Sequence, residues 1–519
     1  MNTCYEVMRD RCKKDGMIVY YDHEISASRF LRDVDGLARG LTDLGLVKGD
    51  VVTVYLPTCP QSVAAFYACS KLGLIASFVH PLTPADELAK YVGQTKSKAV
   101  LFYDVLVKDE RPLERMNVTL VRCSIADYVT FRKPVYSLYA RAVGKRVKGV
   151  RAYASIIKDV TETPILGDEH DVVCYMHSGG TSGQPKIVKL SNYAFNEPAK
   201  TIVKMYNPEH FGDNVYLTTL PVFHAYGLCN SVHTGFVAGF NLALVPQYDV
   251  KVVKRYFNKY NITAWAAVPA MLTKLIRANA LDHRRMGKLD VIWCGGDVLP
   301  ESLVEQVDGV LAKYSKRPAQ LMRGYGLTET CGVCVVNNYE HYAKNSCGRP
   351  IDGCKVEIWD EDGKALPAGE TGEIVITTSG LMSGYLDCDD VFVKDGSWIK
   401  TGDMGYLDEQ GFLYVVDRKK RMVKIAAVNV FPSEVEQCIS ELDFVREACV
   451  VGKKVDGKQY LKAFVTVTDS VDKATVEKRI IDHCKANLIR YSVPTFVEVL
   501  DVMPRTKLAK IDYKQLENR

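Results

Sequence analysis

The sequence predicts an α/β protein. A large N-terminal domain of parallel sheets with helices, plus a small β-section, is expected to be joined by a hinge to a small α+β C-terminal domain. Three observations carry this expectation. At 519 residues the chain is too long for one ordinary core, so two or three domains are expected. Its first hundred residues alternate apolar runs with amphipathic stretches, the βαβ rhythm of a parallel sheet. The pattern then changes twice, after Cys354 and again after Asp417.

Taken in order, Val51 to Leu56 reads as a strand and Ser62 to Leu72 as a helix. Ile75 to Phe78 reads as the next strand and Ala85 to Gln94 as the next helix. The rhythm returns with a strand at Leu242 to Val245, a helix at Val250 to Tyr260 and a strand at Ala264 to Val268. A helix at Pro269 to Asn279 and a strand at Val291 to Trp293 follow. From Cys354 to Tyr385, short alternating segments such as Val356/Ile358 and Ile374/Ile376 are separated by turn residues, which suggests antiparallel β-structure. Past Asp417 a stretch of about a hundred residues has its own helices and strands. The expected domains are therefore 1–417 and 418–519, with the hinge near Lys420.

Composition narrows the class. The chain is 47% hydrophobic and 25% charged, as a soluble globular protein is. No stretch approaches a membrane span and Met1 to Asp10 lacks an apolar signal core, so a cytoplasmic location is expected. Sixteen cysteines are then read as reduced thiols, many of them buried. A net charge of +5 is mild, and no nucleic-acid partner is expected. The basic, aromatic segment Tyr128 to Tyr153 allows peripheral contact with anionic lipid. Its positions are not tightly periodic, and a solvated surface is the favoured reading.

The most informative stretch is Ser178-Gly179-Gly180-Thr181-Ser182-Gly183-Gln184-Pro185-Lys186. It follows an apolar strand, Val172 to Tyr175, and precedes an extended run, Ile187 to Leu190. Glycines let backbone N–H groups turn toward an anion, the hydroxyls add donors and Lys186 adds a point charge. This is the chemistry of a polyphosphate grip. It is not the Walker loop, which needs its lysine to open a helix, nor the Gly-x-Gly-x-x-Gly dinucleotide fingerprint.

Five further segments follow in order: Pro221 to Gly227, Tyr325 to Glu329, Trp398 to Asp403, Asp417 to Lys420 running on to Glu434, and Pro504 to Ile511. The set resembles the adenylate-forming superfamily of acyl-CoA synthetases, adenylation domains and beetle luciferase. The resemblance spans nearly the whole chain, from Leu41 to Lys510. It implies an AMP-forming acyl- or aryl-CoA ligase that adenylates an acid with Mg·ATP, releases pyrophosphate and passes the acyl group to CoA.

The resemblance also implies roles. The loop Ser178, Gly179, Gly180, Thr181, Ser182, Gly183 and Lys186 would grip the ATP phosphates. Thr328 would bind the α-phosphate and Glu329 the Mg²⁺, a hard cation that wants oxygen ligands. Tyr325 would stack on adenine, with Gly295 and Gly296 at its edge. Asp403 would hold the ribose hydroxyls and Arg418 would lie near ribose and phosphate. Lys510 would neutralise charge between carboxylate and α-phosphate. His224 would gate the acyl pocket, although a lone histidine in an apolar run is more often a packed core residue. Lys420 would be the pivot that exchanges Lys510 for the face around Lys424 to Asn429. The cluster Cys331, Cys334, Cys347 and Cys354 has spacings that permit zinc. The resemblance places small residues there beside the acyl pocket, and apolar packing is favoured.

Four departures from the family pattern matter: Ile187, Arg323, Ala427 and Ala509. Arg323 stands where Asn or Gln would contact the adenine amino group, and arginine has no acceptor to offer. Ala427 replaces a glycine of the thiol tunnel, and Ala509 one before Lys510. The substrate pocket would be lined by His224, Ala225, Tyr226, Cys229, Trp293, Gly295, Gly324, Gly332 and Val333. Ala225 stands where amino-acid-activating relatives carry an aspartate for the α-ammonium, and a buried ammonium without a partner would be costly. An apolar acyl or aryl acid is therefore expected. The rival reading delivers the acyl group to a carrier-protein phosphopantetheine or an amine, and a luciferase-like oxygenase is a more distant one.

Overall fold

The computed structural model describes residues 2–12, 16–107, 109–129, 147–159, 163–178, 186–205, 214–281, 288–314, 320–388, 391–425, 428–455, 458–469, 471–505 and 511–519. The chain forms two compact units. One comprises residues 1–355 with 377–391, the other 356–376 with 392–519.

The larger unit holds two mainly parallel sheets. In the first, the strands run in the order Arg151–Ala152, Thr119–Cys123, Ala99–Tyr103, Val51–Tyr55, Ile75–Phe78, Val172–His177, Ile187–Ser191. Val51–Tyr55 and Ile75–Phe78 are buried throughout, which is why they read as unbroken apolar runs rather than alternating ones. The helix between them, Pro60–Leu72, has all thirteen residues buried. Proline sits in its first turn, Ser62 Oγ accepts from Cys59 N at 3.1 Å, and Gly73 closes it at φ +68°. Left-handed closure by glycine is what ends the helix in time for the next parallel strand.

The second sheet runs Arg349–Pro350, Gly332–Val336, Gln320–Leu327, Val291–Cys294, Ile262–Ala267, Val215–Thr218, Asn241–Leu244, Met17–Tyr20, His23–Ser26. The run Val215–Thr218, Ile262–Ala267, Val291–Cys294 and Gln320–Leu327 is parallel, in register at Ala266↔Trp293 and Trp293↔Met322. Its core is built on Trp265, Ile292, Leu321, Leu272 and Leu275, all fully buried. The helix Val250–Lys259 packs there through Val253, Tyr256 and Phe257, spaced as one helical face, with Asp249 capping Lys251 N and Val252 N. The βαβ expectations over 51–94 and 242–293 agree with these elements to within a residue or two at most ends. One element had no periodicity to announce it: Tyr226–His233 is a π-helix, a form that recurs at functional sites.

A five-stranded sheet lies mostly in the smaller unit: Cys354–Trp359 beside Gly372–Thr378, which pairs antiparallel with Trp398–Leu407, itself antiparallel to Phe392–Val393 and Leu413–Arg418. A hairpin, Val423–Ile425 with Val428–Val430, follows. The last three strands, Val445–Val455, Lys458–Val467 and Phe496–Val499, pack on the helices Pro432–Ser440 and Lys473–Asn487 through Val435, Ile439, Ile480, Leu461 and Val465. Among the described residues, no helix is long and apolar enough to cross a membrane.

Candidate functional site

The Gly/Ser-rich stretch joins two antiparallel strands, Val172–His177 and Ile187–Ser191. Its ends are clamped to each other. Ser178 N donates to Lys186 O at 2.8 Å, and Lys186 N donates to Ser178 Oγ at 3.2 Å. Gly179, Gly180, Thr181, Ser182 and Gly183, between these ends, lie outside the described residues. Ser178 and Lys186 thus sit side by side at the loop's neck. Ile187, where the family has glycine, is buried at the start of the returning strand.

Lys186 leads to a residue that sequence reasoning missed. Its Nζ lies 4.4 Å above the ring of Tyr385, and Tyr385 Oη donates to Glu329 Oε1 at 2.9 Å. The segment that carries Tyr385 is stitched to the loop's returning strand: Ser383 N donates to Lys189 O, Lys189 N to Gly384 O and Leu386 N to Ile187 O. Met382 N donates to Glu329 O at 2.9 Å, which fixes the turn from the other side. Burial, reinforced by the Glu329 charge, pushes the Tyr385 phenol up, so it stays a proton donor to the carboxylate. Thr328 and Glu329 occupy a single 3₁₀ turn, Thr328–Thr330, both half-buried. Among the described residues Glu329 has no cationic partner within salt-bridge distance. A carboxylate so placed, held by a neutral donor, suits a hard divalent cation.

Tyr325 precedes this turn on the strand Gln320–Leu327 and is 9% exposed. Gly295 and Gly296 follow the adjacent strand Val291–Cys294. A Cβ on Gly295 would stand 2.9 Å from Gly324 O, so these two strand ends approach as only glycine permits. Arg323 turns to another task. Its guanidinium donates to Glu301 Oε2 at 2.7 Å, Leu299 O at 3.1 Å and Asn345 Oδ1 at 3.2 Å.

Beside these strand ends is a narrow cavity of about 30 Å³, lined by Ile202, Tyr216, Tyr226, Asn230, Thr234, Trp293, Gly324, Val333 and Val336. Tyr226, Trp293, Gly324 and Val333 were expected there from sequence. Ile202, Tyr216, Asn230, Thr234 and Val336 were not. Every lining side chain is uncharged. The π-helix supplies Tyr226 and Asn230, and Thr234 follows it directly. Tyr226 Oη donates to Trp293 O at 3.1 Å, tying helix to sheet. Ala225 is buried at 3% exposure, and Gly332 backs the wall at φ +97°. Cys229, also expected there, is fully buried and is not among the lining residues. His224 is half-buried at the mouth of the π-helix, its ring 5.0 Å from Phe223, while its N–H donates to Pro221 O. The fully buried histidine of this region is His233. Tyr67 Oη lies 3.1 Å from its Nδ1 and Asn196 Oδ1 2.9 Å from its Nε2. Burial pushes it down to about 3, so it is a neutral core residue.

Cys331 and Cys334 are fully buried and Cys354 nearly so, as small apolar packing requires. Among the described residues the grouping able to hold a metal is Cys438, Glu441 and His483 in the smaller unit, not this set.

In the smaller unit, Asp403 and Arg418 face each other across an antiparallel pair. Arg418 Nε lies 2.7 Å from Asp403 Oδ1; the aspartate side chain is 4% exposed and the arginine 51%. The turn that follows holds exposed Lys420 and is anchored below. Asp417 accepts from Arg418 N, Ser433 N and Arg421 Nη1. Arg421 reaches on to Glu436 at 2.6 Å and stacks over Tyr513 at 4.1 Å. Lys510, with Ala509, lies outside the described residues, as does Ala427. Their flanks are described: Arg505 and Ile511 form an antiparallel bridge, and Lys424 pairs with Asn429.

Comparison with known proteins identifies the family to which the chain belongs. Residues 7–386 match the AMP-binding enzyme family and residues 434–510 its C-terminal domain. A long-chain-fatty-acid–CoA ligase of Bacillus subtilis is 28% identical over 521 residues, covering 96% of this chain and 90% of the relative. An indoleacetate–CoA ligase of Aromatoleum aromaticum is 27% identical, covering 97% and 95%. Among solved structures, the o-succinylbenzoate CoA synthetase of Bacillus subtilis bound to its acyl-adenylate superposes with a TM-score of 0.81 at 23% identity, covering 100% of this chain and 98% of that one. ATP-bound MatB from Rhodopseudomonas palustris gives 0.82 at 19%, covering 100% and 99%. At these identities the structural likeness is one of fold.

Proposed function

We propose, since the chain belongs to the AMP-binding enzyme family, that it is an AMP-forming acid–thiol ligase. It would activate an apolar acyl or aryl acid with Mg·ATP and transfer the acyl group to CoA. The observation that carries the choice of acid is the cavity beside the strand ends, whose lining has no charged side chain. An ammonium or a second carboxylate buried there would lack a partner.

The roles follow from the residues. Ser178 and Lys186, clamped together at the loop neck, present a hydroxyl and a charge to the phosphates. Thr328 is assigned to the α-phosphate and Glu329 to the cation. Mg²⁺, when bound, supplies charge neutralisation on the phosphate oxygens. Tyr385 orients Glu329 by donating to one of its oxygens, which leaves the other free to bind. Tyr325, Gly295 and Gly296 are assigned to adenine, Asp403 to the ribose hydroxyls, and Arg418 both to Asp403 and to the phosphates. Lys510 is assigned to the charge that develops as the acid's oxygen attacks phosphorus and pyrophosphate departs. His224 is assigned to the pocket entrance. The cytoplasm is the compartment that suits sixteen free cysteines.

The test is pyrophosphate release and acyl-CoA formation measured in parallel across acids from acetate to long-chain and aryl carboxylates, with and without CoA. Acid-dependent pyrophosphate with stoichiometric thioester is expected. Pyrophosphate without thioester would move the acceptor to a carrier protein or an amine. No pyrophosphate with any acid would sink the ligase reading.

A further inference from the structure

Two helices of the smaller unit bring together three side chains that the ligase reading does not use. Cys438 lies in the last turn of Pro432–Ser440, and Glu441 caps that helix. Three residues apart at a helix end, they share a face. His483 comes from Lys473–Asn487, a helix that enters the same buried core through Val476 and Ile480. The Cys438 sulfur, a Glu441 carboxylate oxygen and a His483 ring nitrogen all lie within 4.8 Å of one another. His483 Nε2 stands 3.2 Å from Glu441 Oε2.

The three donors run from the interior to the surface. Cys438 is 5% exposed, while the side chains of His483 and Glu441 are 24% and 59% exposed. An ion would therefore enter from solvent and rest on the thiol. The other ring nitrogen of His483, Nδ1, lies 3.4 Å from the Asn487 amide, so Nε2 is the nitrogen that faces the carboxylate. Among the described residues, the ion pair that Glu441 makes is with His483, not with a lysine or arginine. The nearby Arg479, one turn before His483, lies over the Phe444 ring at 4.0 Å. A histidine–carboxylate pair accounts for two of the three groups. The thiol within reach of both makes the pair a ligand set.

We propose that Cys438, Glu441 and His483 form a zinc-binding site that clasps these two helices. Sulfur, imidazole nitrogen and carboxylate oxygen are zinc's ordinary donors, and a tetrahedral ion with bonds of about 2.0–2.1 Å to nitrogen and oxygen sets those two ligands about 3.3 Å apart. The His483–Glu441 separation already matches that edge. The thiol gives up its proton as the Zn–S bond forms, and water takes the fourth position on the exposed side. A thiolate suits zinc and not Mg²⁺, so this site differs in chemistry from the cation assigned to Glu329. Bound zinc would cross-link Pro432–Ser440, which follows the hairpin Val423–Val430, to Lys473–Asn487.

The test titrates the chelator-treated full chain with Zn²⁺, and with Co²⁺ as a spectroscopic probe. Zinc is expected to raise the unfolding midpoint, and cobalt to give a thiolate-to-metal charge-transfer band. Removing a ligand costs at least what removing its hydrogen-bonded support does, so Cys438→Ser, Glu441→Gln and His483→Gln should each weaken zinc binding about ten-fold or more. Cys438→Ser should also abolish the cobalt band. Glu441 is exposed, so Glu441→Gln keeps the fold and tests the site even where the buried substitution does not. The other cysteines are a background that wild type and variants share. Equal zinc affinity in wild type and all three variants would place the metal on those other thiols and overturn the proposal. So would the absence of any zinc-dependent midpoint shift and cobalt band. Pyrophosphate release by metal-stripped Glu441→Gln resupplied with Mg²⁺ should equal that of wild type, so the zinc site and the ligase reading stand or fall separately.

Discussion

Two carboxylates from the two units make opposite use of their charge. Glu329 sits half-buried in a 3₁₀ turn, held by the neutral phenol of Tyr385 at 2.9 Å. Asp403 is buried on a strand and neutralised by Arg418 at 2.7 Å. A carboxylate with a neutral partner keeps its charge for a cation. One already paired with a guanidinium is a fixed hydrogen-bond acceptor, suited to hydroxyls. On the proposed roles, the local partner, not the carboxylate itself, would separate the cation's carboxylate from the ribose's. His233 stands at a third extreme, buried with no charge at all.

The sharpest way to break this comparison is Glu329→Gln, which keeps the shape and the acceptor for Tyr385 but removes the charge. Pyrophosphate formation is expected to fall about 10²- to 10³-fold, with a rightward shift in the Mg²⁺ titration and little change in Tm. If Asp403→Asn moved the Mg²⁺ titration instead, the two roles would be exchanged. Next in size is the pH dependence of stability. His233 has a folded value of about 3 against about 6.5 unfolded. The unfolded chain therefore takes up the proton first, and stability is lost as pH falls from about 6.5 toward 3. Burial is the first cause, with Lys200 acting the same way. Between pH 7 and pH 4 the loss is expected to be on the order of 3 kcal/mol, read from unfolding midpoints. His177, pushed down to about 4, adds in the same direction, so the difference between wild type and His233→Gln isolates His233; identical slopes would refute the assignment.

A smaller effect is expected of Arg418→Gln, which leaves buried Asp403 without its counter-charge. Because the arginine is half exposed, about 1–2 kcal/mol is expected. A raised KM for ATP should accompany it with kcat less affected, and an unchanged KM would remove Arg418 from the nucleotide. The mildest is Tyr385→Phe, which keeps the ring beneath Lys186 and deletes only the bond to Glu329. A three- to ten-fold loss of activity, about 1 kcal/mol, with a weakened Mg²⁺ response, is expected. No effect would mean that the turn alone orients Glu329.

Much of this was legible in the chain. The order of motifs named Glu329, Asp403 and Arg418 as candidates, and the alternation of apolar strand and amphipathic helix carried the parallel sheets. Tyr385 was not legible, since nothing in Met382-Ser383-Gly384-Tyr385 announces a partner 56 residues away. Arg323 read as a residue with no acceptor for the adenine amino group; that its guanidinium goes to Glu301 and Leu299 was not legible. Cys229 read as pocket wall; it is fully buried within the π-helix and is not among the residues lining the cavity.

By itself, then, the sequence determined which residue types stand at which motif positions and the period of each buried element, because both are local properties of the chain. Tertiary structure alone decided who meets whom. It set Tyr385 on Glu329, closed the loop neck through Ser178 and Lys186, and turned the Asn230 amide oxygen to Val333 N. The reason is physical: hydrogen bonds and burial are satisfied in space, between residues that sequence distance does not relate.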